Sequence, residues 1–221
     1  MGGRRVLLDC GTSYTKIHDL DTGARGIIPS RELRNGMYGV EVAAATGHNE
    51  LPRPARRVNE LVALAEGGLA LVGEGDFTVL DCGARDVKYV QFRDRKVVGM
   101  DWNAECGAFA GQVIELLVNY FALDTGSLPG TALKIPVVCG VLGMTRMFDM
   151  ISDGESHEAA FMGFLKGIAY NCEVLVGKPE KIYLSGGLCE NRAFLESFTC
   201  EAVPLGRYVL LDGLEKMTAG G

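Results

Sequence analysis

The chain has 221 residues, 48% hydrophobic and 23% charged, a balance that excludes a generally disordered protein. At ~150 residues per domain that length is about one and a half domains, so two small lobes are expected. Lys plus Arg is 22 and Asp plus Glu is 28, a net charge of −6 that argues against a nucleic-acid binder with a basic footprint.

Arg5 to Asp9 (RVLLD) is a short apolar run closed by Asp-Cys-Gly, which predicts a buried strand and a turn. Tyr14 to Leu20 predicts a second strand, forming a hairpin with the first. Between 21 and 53, Gly and Pro breakers leave one clear strand, Gly39 to Ala45. Arg57 to Glu66 is helical, with apolar residues at 58, 61, 62 and 65, and Gly67-Gly68 is expected to stop it. Phe77 to Asp81 (FTVLD) is another buried strand running into Cys-Gly. The period then changes, and Ala108 through Phe121 is apolar at 110, 113, 114, 117, 118 and 121, near 3.6 residues per turn. Lys134 to Val138 predicts a short strand or an extended entry to Cys139, and Val141 to Ile151 predicts a helix. Ser156 to Cys172 is a helix with Ser152 or Ser156 as its N-cap. Lys181 to Leu184 is a strand ending in Ser-Gly-Gly, Glu190 to Phe198 a helix, and Tyr208 to Leu211 a strand. No window approaches the ~18 uninterrupted apolar residues of a membrane span, and no signal peptide is evident. A reducing, cytoplasmic setting without a membrane partner is therefore expected.

Two segments echo each other. DCGTSYTK at 9–16 and DCGARDVK at 81–88 share Asp, Cys, Gly and Lys at identical offsets, each after a strand. Such duplication implies two lobes with a cleft between them. Glycine after a strand lets backbone N–H groups approach phosphate oxygens, which fits the 30 glycines here, about 14% against a usual ~7%. An Asp at the strand end suits hydrated magnesium. LSGGLCEN at 184–191 supplies bare backbone at a strand–helix junction, where a ribose or adenine can lie. The three histidines are scattered, and no hydrolase triad is visible. The seven cysteines show no local metal-binding spacing.

These segments resemble the first phosphate, second phosphate and adenosine motifs of the acetate kinase, sugar kinase, Hsp70 and actin superfamily. More narrowly, the chain resembles the activator ATPases of 2-hydroxyacyl-CoA dehydratases, related to ATPase subunits of benzoyl-CoA reductase. NAECGAFAGQVIE at 103–115 is similar to that family's Asn-Asp-Lys-Cys-Ala-Ala-Gly-Thr-Gly-Arg-Phe-Leu-Glu stretch, keeping Asn103, Cys106, Ala108, Gly111 and Glu115. VCGVLGMT at 138–145 is similar to its Cys-Ala-Val-Phe-Ala-Glu-Ser stretch, keeping Cys139 and Val141, and TGHN at 46–49 resembles its Thr-Gly-Tyr-Gly turn.

The resemblance implies an α/β, two-lobed actin/Hsp70-like ATPase fold with duplicated ribonuclease H-like lobes. The lobes would be 1–76 and 77–221, with the C-terminal segment able to return to the first. It implies ATP and Mg2+ between the lobes. Asp9 and Asp81 would hold magnesium and position water. Gly11, Thr12, Ser13, Lys16, Gly83, Ala84 and Lys88 would cradle phosphate, and Gly186, Gly187 and Asn191 would face adenosine. Cys106 and Cys139 would each give one thiolate to a [4Fe-4S] cluster shared across a homodimer, since such clusters take four. Electrons would arrive from a ferredoxin or flavodoxin and leave to a low-potential metalloenzyme, such as a dehydratase or reductase. The chain would then be an ATP-dependent reductive activator. The alternative is an ATP-binding assembly factor or small-molecule kinase of the same fold without a cluster.

Several positions depart from the family pattern. Ala84 replaces the second glycine of the second phosphate motif, and Arg85 replaces a Gln that could orient water. Arg can only donate, yet it can stabilise phosphate charge, so hydrolysis that is slow or partner-dependent is expected. The family's closing helix begins Gly-Ala, and no such start stands before Met217 to Gly221, which predicts a less covered first lobe.

Overall fold

The computed structural model describes residues 4–35, 39–49, 56–103 and 110–219. Its contacts divide the chain into two compact units, Met1–Gly75 with Tyr208–Gly221, and Asp76–Arg207.

The first unit is built on a four-stranded sheet of β1 (Arg4–Cys10), β2 (Tyr14–Asp19), β3 (Arg25–Pro29) and β4 (Val40–Gly47), in the order β3-β2-β1-β4. β1 pairs antiparallel with β2 and parallel with β4. Its apolar run is buried at Val6, Leu7 and Leu8 because the strand is central. Helix α1 (Glu60–Leu71) starts at Asn59, whose side chain accepts from Leu61 N at 2.9 Å. It does not stop at Gly67-Gly68, contrary to the sequence expectation. There it meets α6 (Val209–Ala219), and a Cβ on Gly67 would collide with the backbone of Val209, as one on Gly213 would with Ala63. The glycines are thus contact points between two helices, and tertiary packing overrides their weak helix propensity. The strand expected at Tyr208 to Leu211 is the start of α6 instead. That apolar run supplies the buried face of the helix, with Val209, Leu210, Leu211 and Leu214 all buried. A closing helix is therefore present without the Gly-Ala start. Arg25 ties it to β3 through Asp212 at 2.6 Å, and Lys216 ties it to α1 through Glu66 at 2.9 Å.

The second unit holds β5 (Phe77–Cys82), β6 (Val87–Arg93), β7 (Lys96–Asn103), β8 (Lys181–Ser185) and β9 (Glu201–Gly206), in the order β7-β6-β5-β8-β9. β5 is buried along its whole length, with β6 antiparallel on one side and β8 parallel on the other. The helices are α2 (Ala110–Phe121), α3 (Gly140–Ser152), α4 (His157–Leu175) and the single turn α5 (Arg192–Leu195). α4 is the core element. Ser156 caps it by accepting from Ala159 N, and Phe161, Phe164 and Leu165 are fully buried, each contributing about 1.5–3 kcal/mol of apolar burial.

Residues 134–138 are extended but join no sheet. Ile135 N donates to Gly163 O at 2.9 Å, and Asn171 Nδ2 donates to Val137 O at 2.6 Å. The segment thus satisfies its backbone on α4, and a Cβ at Gly167 would strike Ile135. Three strands gave little signal in the sequence. β3 and β9 are edge strands that contain Pro29 and Pro204, which edges tolerate. β7 follows a tight turn in which Asp94 and Arg95, rather than glycine, adopt positive φ. The helix expected over Glu190 to Phe198 shrinks to a 3-10 turn at Gly187–Glu190 followed by α5.

Candidate functional site

The echo seen in the sequence is an echo in register. In the first unit Asp9 pairs with Lys16 and Cys10 with Thr15, while in the second Asp81 pairs with Lys88 and Cys82 with Val87. Each turn closes with its glycine packed on a backbone carbonyl three residues later. A Cβ would come 2.7 Å from Tyr14 O at Gly11 and 3.1 Å from Asp86 O at Gly83.

The correspondence continues onto the parallel neighbour. Asp9 lies opposite Thr46 on β4, and Asp81 lies opposite Ser185 on β8. Paired positions share a sheet face, so each unit carries a transverse row of Lys, Asp and a hydroxyl residue. The next residues, Gly47 and Gly186, both have positive φ, +99° and +89°. A Cβ on Gly186 would stand 2.5 Å from Cys82 O, and one on Gly47 would stand 2.7 Å from Cys10 N. Thr46 and Ser185 stand inside expected motifs, TGHN at 46–49 and LSGGLCEN at 184–191, but neither hydroxyl is among the expected site residues. Their signal was a hydroxyl residue before glycine at the end of a strand parallel to each Asp strand.

The two rows are wired differently. Lys16 Nζ donates to Asp9 Oδ2 at 2.7 Å. Lys88 turns instead to Asp86, also at 2.7 Å, and Asp81 Oδ1 accepts from Ser185 Oγ at 2.7 Å. Both carboxylates are nearly inaccessible, Asp9 at 2% and Asp81 at 5% exposure. The Gly11 carbonyl is fixed by Ser30 Oγ at 2.6 Å and Asn49 Nδ2 at 2.7 Å. Thr12 is exposed and Ser13 half-buried in the same turn, while Ala84 and Arg85 are half-buried in the second. α2 begins against that second turn, where Gln112 N donates to Ala84 O at 2.9 Å and a Cβ on Gly111 would lie 2.9 Å from Ala84 Cα.

In the 184–191 segment, Gly186 and Gly187 open the 3-10 turn. The Asn191 side chain caps α5, accepting from Phe194 N at 3.0 Å. Arg207 reaches the segment through Glu190 at 3.2 Å.

Cys139 is the N-cap of α3, and its Sγ accepts from Leu142 N at 3.4 Å. Val138, Val141 and Leu142 beside it are exposed. Cys106 lies outside the described residues. Burial pushes the Cys10 thiol up to about 12, with the neighbouring Asp9 carboxylate adding to it. Cys82 is raised through its hydrogen bond with Cys172 and by burial, and burial lifts Cys189 and Cys200 to about 11. These four are protonated thiols at neutral pH.

Two sheets with matched Asp-Cys-Gly turns, the first unit completed by the returning helix α6, are the architecture of the actin-like ATPase fold. The chain is similar throughout its length to two solved activator structures. One is the activator of 2-hydroxyisocaproyl-CoA dehydratase from Clostridium difficile with bound ADPNP, at TM-score 0.74 and 19% identity over 98% of this chain and 97% of that one. The other is component A of (R)-2-hydroxyglutaryl-CoA dehydratase from Acidaminococcus fermentans, at TM-score 0.75 and 18% identity over 97% and 98%. An archaeal actin homologue is similar at TM-score 0.54 and 12% identity over 98% and 99%. No family model matches the sequence, and no curated protein matches it. No helix among the described residues is long and apolar enough to cross a membrane.

Proposed function

We propose that the chain is an ATP-dependent reductive activator, in which nucleotide hydrolysis drives low-potential electron transfer to a partner metalloenzyme. The observation that carries the reading is the pair of Lys–Asp–hydroxyl rows, each followed by a positive-φ glycine, Gly47 or Gly186, at which a Cβ would collide with backbone. Hard, buried carboxylate oxygens suit a hydrated Mg2+, and Asp9 and Asp81 are the residues that would hold it. Lys16 neutralises Asp9, so the first row presents hydrogen-bond donors and balanced charge to phosphate. Lys88 is engaged by Asp86, and Asp81 is held by the Ser185 hydroxyl, an arrangement suited to accept a proton from an attacking water. Gly11, Thr12, Ser13, Gly83 and Ala84 bring backbone donors or hydroxyls to the phosphates, Arg85 offsets charge there, and Gly186, Gly187 and Asn191 border the nucleoside.

The contact of Ala84 with the start of α2 supplies the coupling. A change at the 83–84 turn pulls directly on Gly111 and Gln112, five and six residues beyond Cys106. The far end of α2 is pinned, because Tyr120 and Phe121 pack on Phe148 of α3 at ring-centroid distances of 6.2 and 5.6 Å. Motion at the turn therefore pivots the start of α2 against that of α3, where Cys139 sits. The donor set there fits an iron–sulfur cluster: a cysteine at a helix N-terminus, where the partial positive charge favours thiolate, surrounded by exposed apolar side chains that a second subunit can cover. Cys106 and Cys139 of two subunits would hold one [4Fe-4S] cluster, which when bound supplies one-electron redox chemistry. A ferredoxin or flavodoxin donor and a dehydratase-like acceptor complete the scheme.

The test is anaerobic purification with iron and sulfide analysis alongside ATP turnover. One cluster per dimer, lost in Cys139→Ala, with turnover lost in Asp81→Asn, is expected. Iron-free protein whose ATP turnover is unchanged by Cys106→Ala and Cys139→Ala would replace this reading with that of a cluster-free assembly factor or kinase.

A further inference from the structure

We infer that Thr46 is a further ligand-binding residue of the first unit, donating its hydroxyl hydrogen to an oxygen of the magnesium–phosphate group that Asp9 meets; the inference rests on the nucleotide reading above. Thr46 occupies in β4 the place that Ser185 occupies in β8, opposite the aspartate and one residue before the positive-φ glycine. Ser185 Oγ is satisfied within the protein by Asp81. Thr46 Oγ1 is not: the residue is 2% exposed and its hydroxyl has no hydrogen-bond partner among the described residues. A buried hydroxyl left unpaired costs free energy, and one partner in an apolar or hydrogen-bonded environment removes that cost.

Asp9, the carboxylate nearest in register, does not accept from it; the hydrogen bond that carboxylate makes is through Oδ2 to Lys16. Valine at 46 would have the same shape and no unpaired group, so the fold alone gives no reason for the hydroxyl. A ligand oxygen does. Asp9, Lys16 and Thr46 lie side by side on one face across three adjacent strands, so an oxygen that meets the first two is within one strand spacing of the third. The two halves of the duplicated site would then differ in kind. The second uses its hydroxyl to fix the carboxylate, and the first keeps its hydroxyl for the ligand.

The experiment titrates wild-type, Thr46→Val, Thr46→Ser and Asp9→Asn protein with MgADP, and with ADP in excess chelator, alongside thermal melts without ligand. Thr46→Val should melt at or above the wild-type temperature and bind MgADP about ten-fold more weakly, the loss of about one hydrogen bond. Thr46→Ser should restore binding. A loss that persists without magnesium assigns the acceptor as a phosphate oxygen, and one confined to magnesium assigns it as a cation-bound water. Wild-type affinity in Thr46→Val with weakened binding in Asp9→Asn overturns the inference and leaves the nucleotide site standing. A lower melting temperature with unchanged affinity also overturns it, by assigning the hydroxyl to a structural water. Wild-type affinity in Asp9→Asn as well would overturn the nucleotide reading itself. If Thr46→Val does not fold, Thr46→Ala enters the same titration with the same expected loss.

Discussion

Gly186 shows how much of the site a single backbone position decides. It needs φ near +89° and a carbonyl 2.5 Å from where its Cβ would be, so Gly186→Ala combines left-handed strain with a backbone collision. A loss of about 1–3 kcal/mol is expected from the strain alone, read as a lower denaturant midpoint, together with weakened nucleotide binding. Cys10 gives a pH prediction with a definite sign. Its thiol rises from 9.0 to about 12 on folding, so between those values the unfolded chain has lost a proton that the folded chain keeps. The native state then binds more protons, and stability must fall as pH rises through that window while being fully present below pH 9. Thermal melts from pH 8 to 11 should decline, and Cys10→Ala should decline less steeply. At this scale the sequence was legible wherever a residue type has few uses. The repeated Asp-Cys-Gly turns and their lysines stood out, whereas Thr46 and Ser185, although inside the TGHN and LSGGLCEN segments, carried no role of their own, because a hydroxyl before glycine is common until a strand pairing brings it beside a carboxylate.

Among the elements, α1 and α6 make the clearest case for packing over local propensity. Gly67 reads as a helix stop and Val209 to Leu211 reads as a strand; both readings fail because two helices cross where neither has room for a methyl group. Gly67→Ala and Gly213→Ala should each destabilise by about 1–3 kcal/mol or more through overpacking. Gly73→Ala, with nothing within 4 Å of the added carbon, should be close to neutral in the same melts. The core strands β1 and β5 and the long helix α4 were legible from apolar runs and period, since burial leaves a mark in composition. The edge strands β3, β7 and β9 were not, because an edge is half-solvated and admits Pro, Arg and Asp. The extended 134–138 segment is a third kind. Its backbone is satisfied by α4 rather than by a strand, and no local pattern encodes that.

At the scale of the molecule, the second unit is one continuous stretch while the first is assembled from two separated by it. Removing residues from Tyr208 onward should unfold the first unit, exposing Leu64, Ala63 and the inner face of β1 to proteases, while the second keeps its exchange-protected strands. Hydrogen exchange on full-length and shortened chains reads both outcomes separately. The same discontinuity dictates an order of maturation. Residues 4–71 leave the ribosome long before α6 exists, and their helix α1 must wait through the whole span from Asp76 to Arg207 for its partner. The second unit carries all of its own contacts and can settle as it emerges, whereas the first must close a long loop before it gains its final helix. A nascent chain stalled before Tyr208 would therefore present an unfinished first unit to chaperones, and the turn at Asp9 would reach its final setting only after the turn at Asp81.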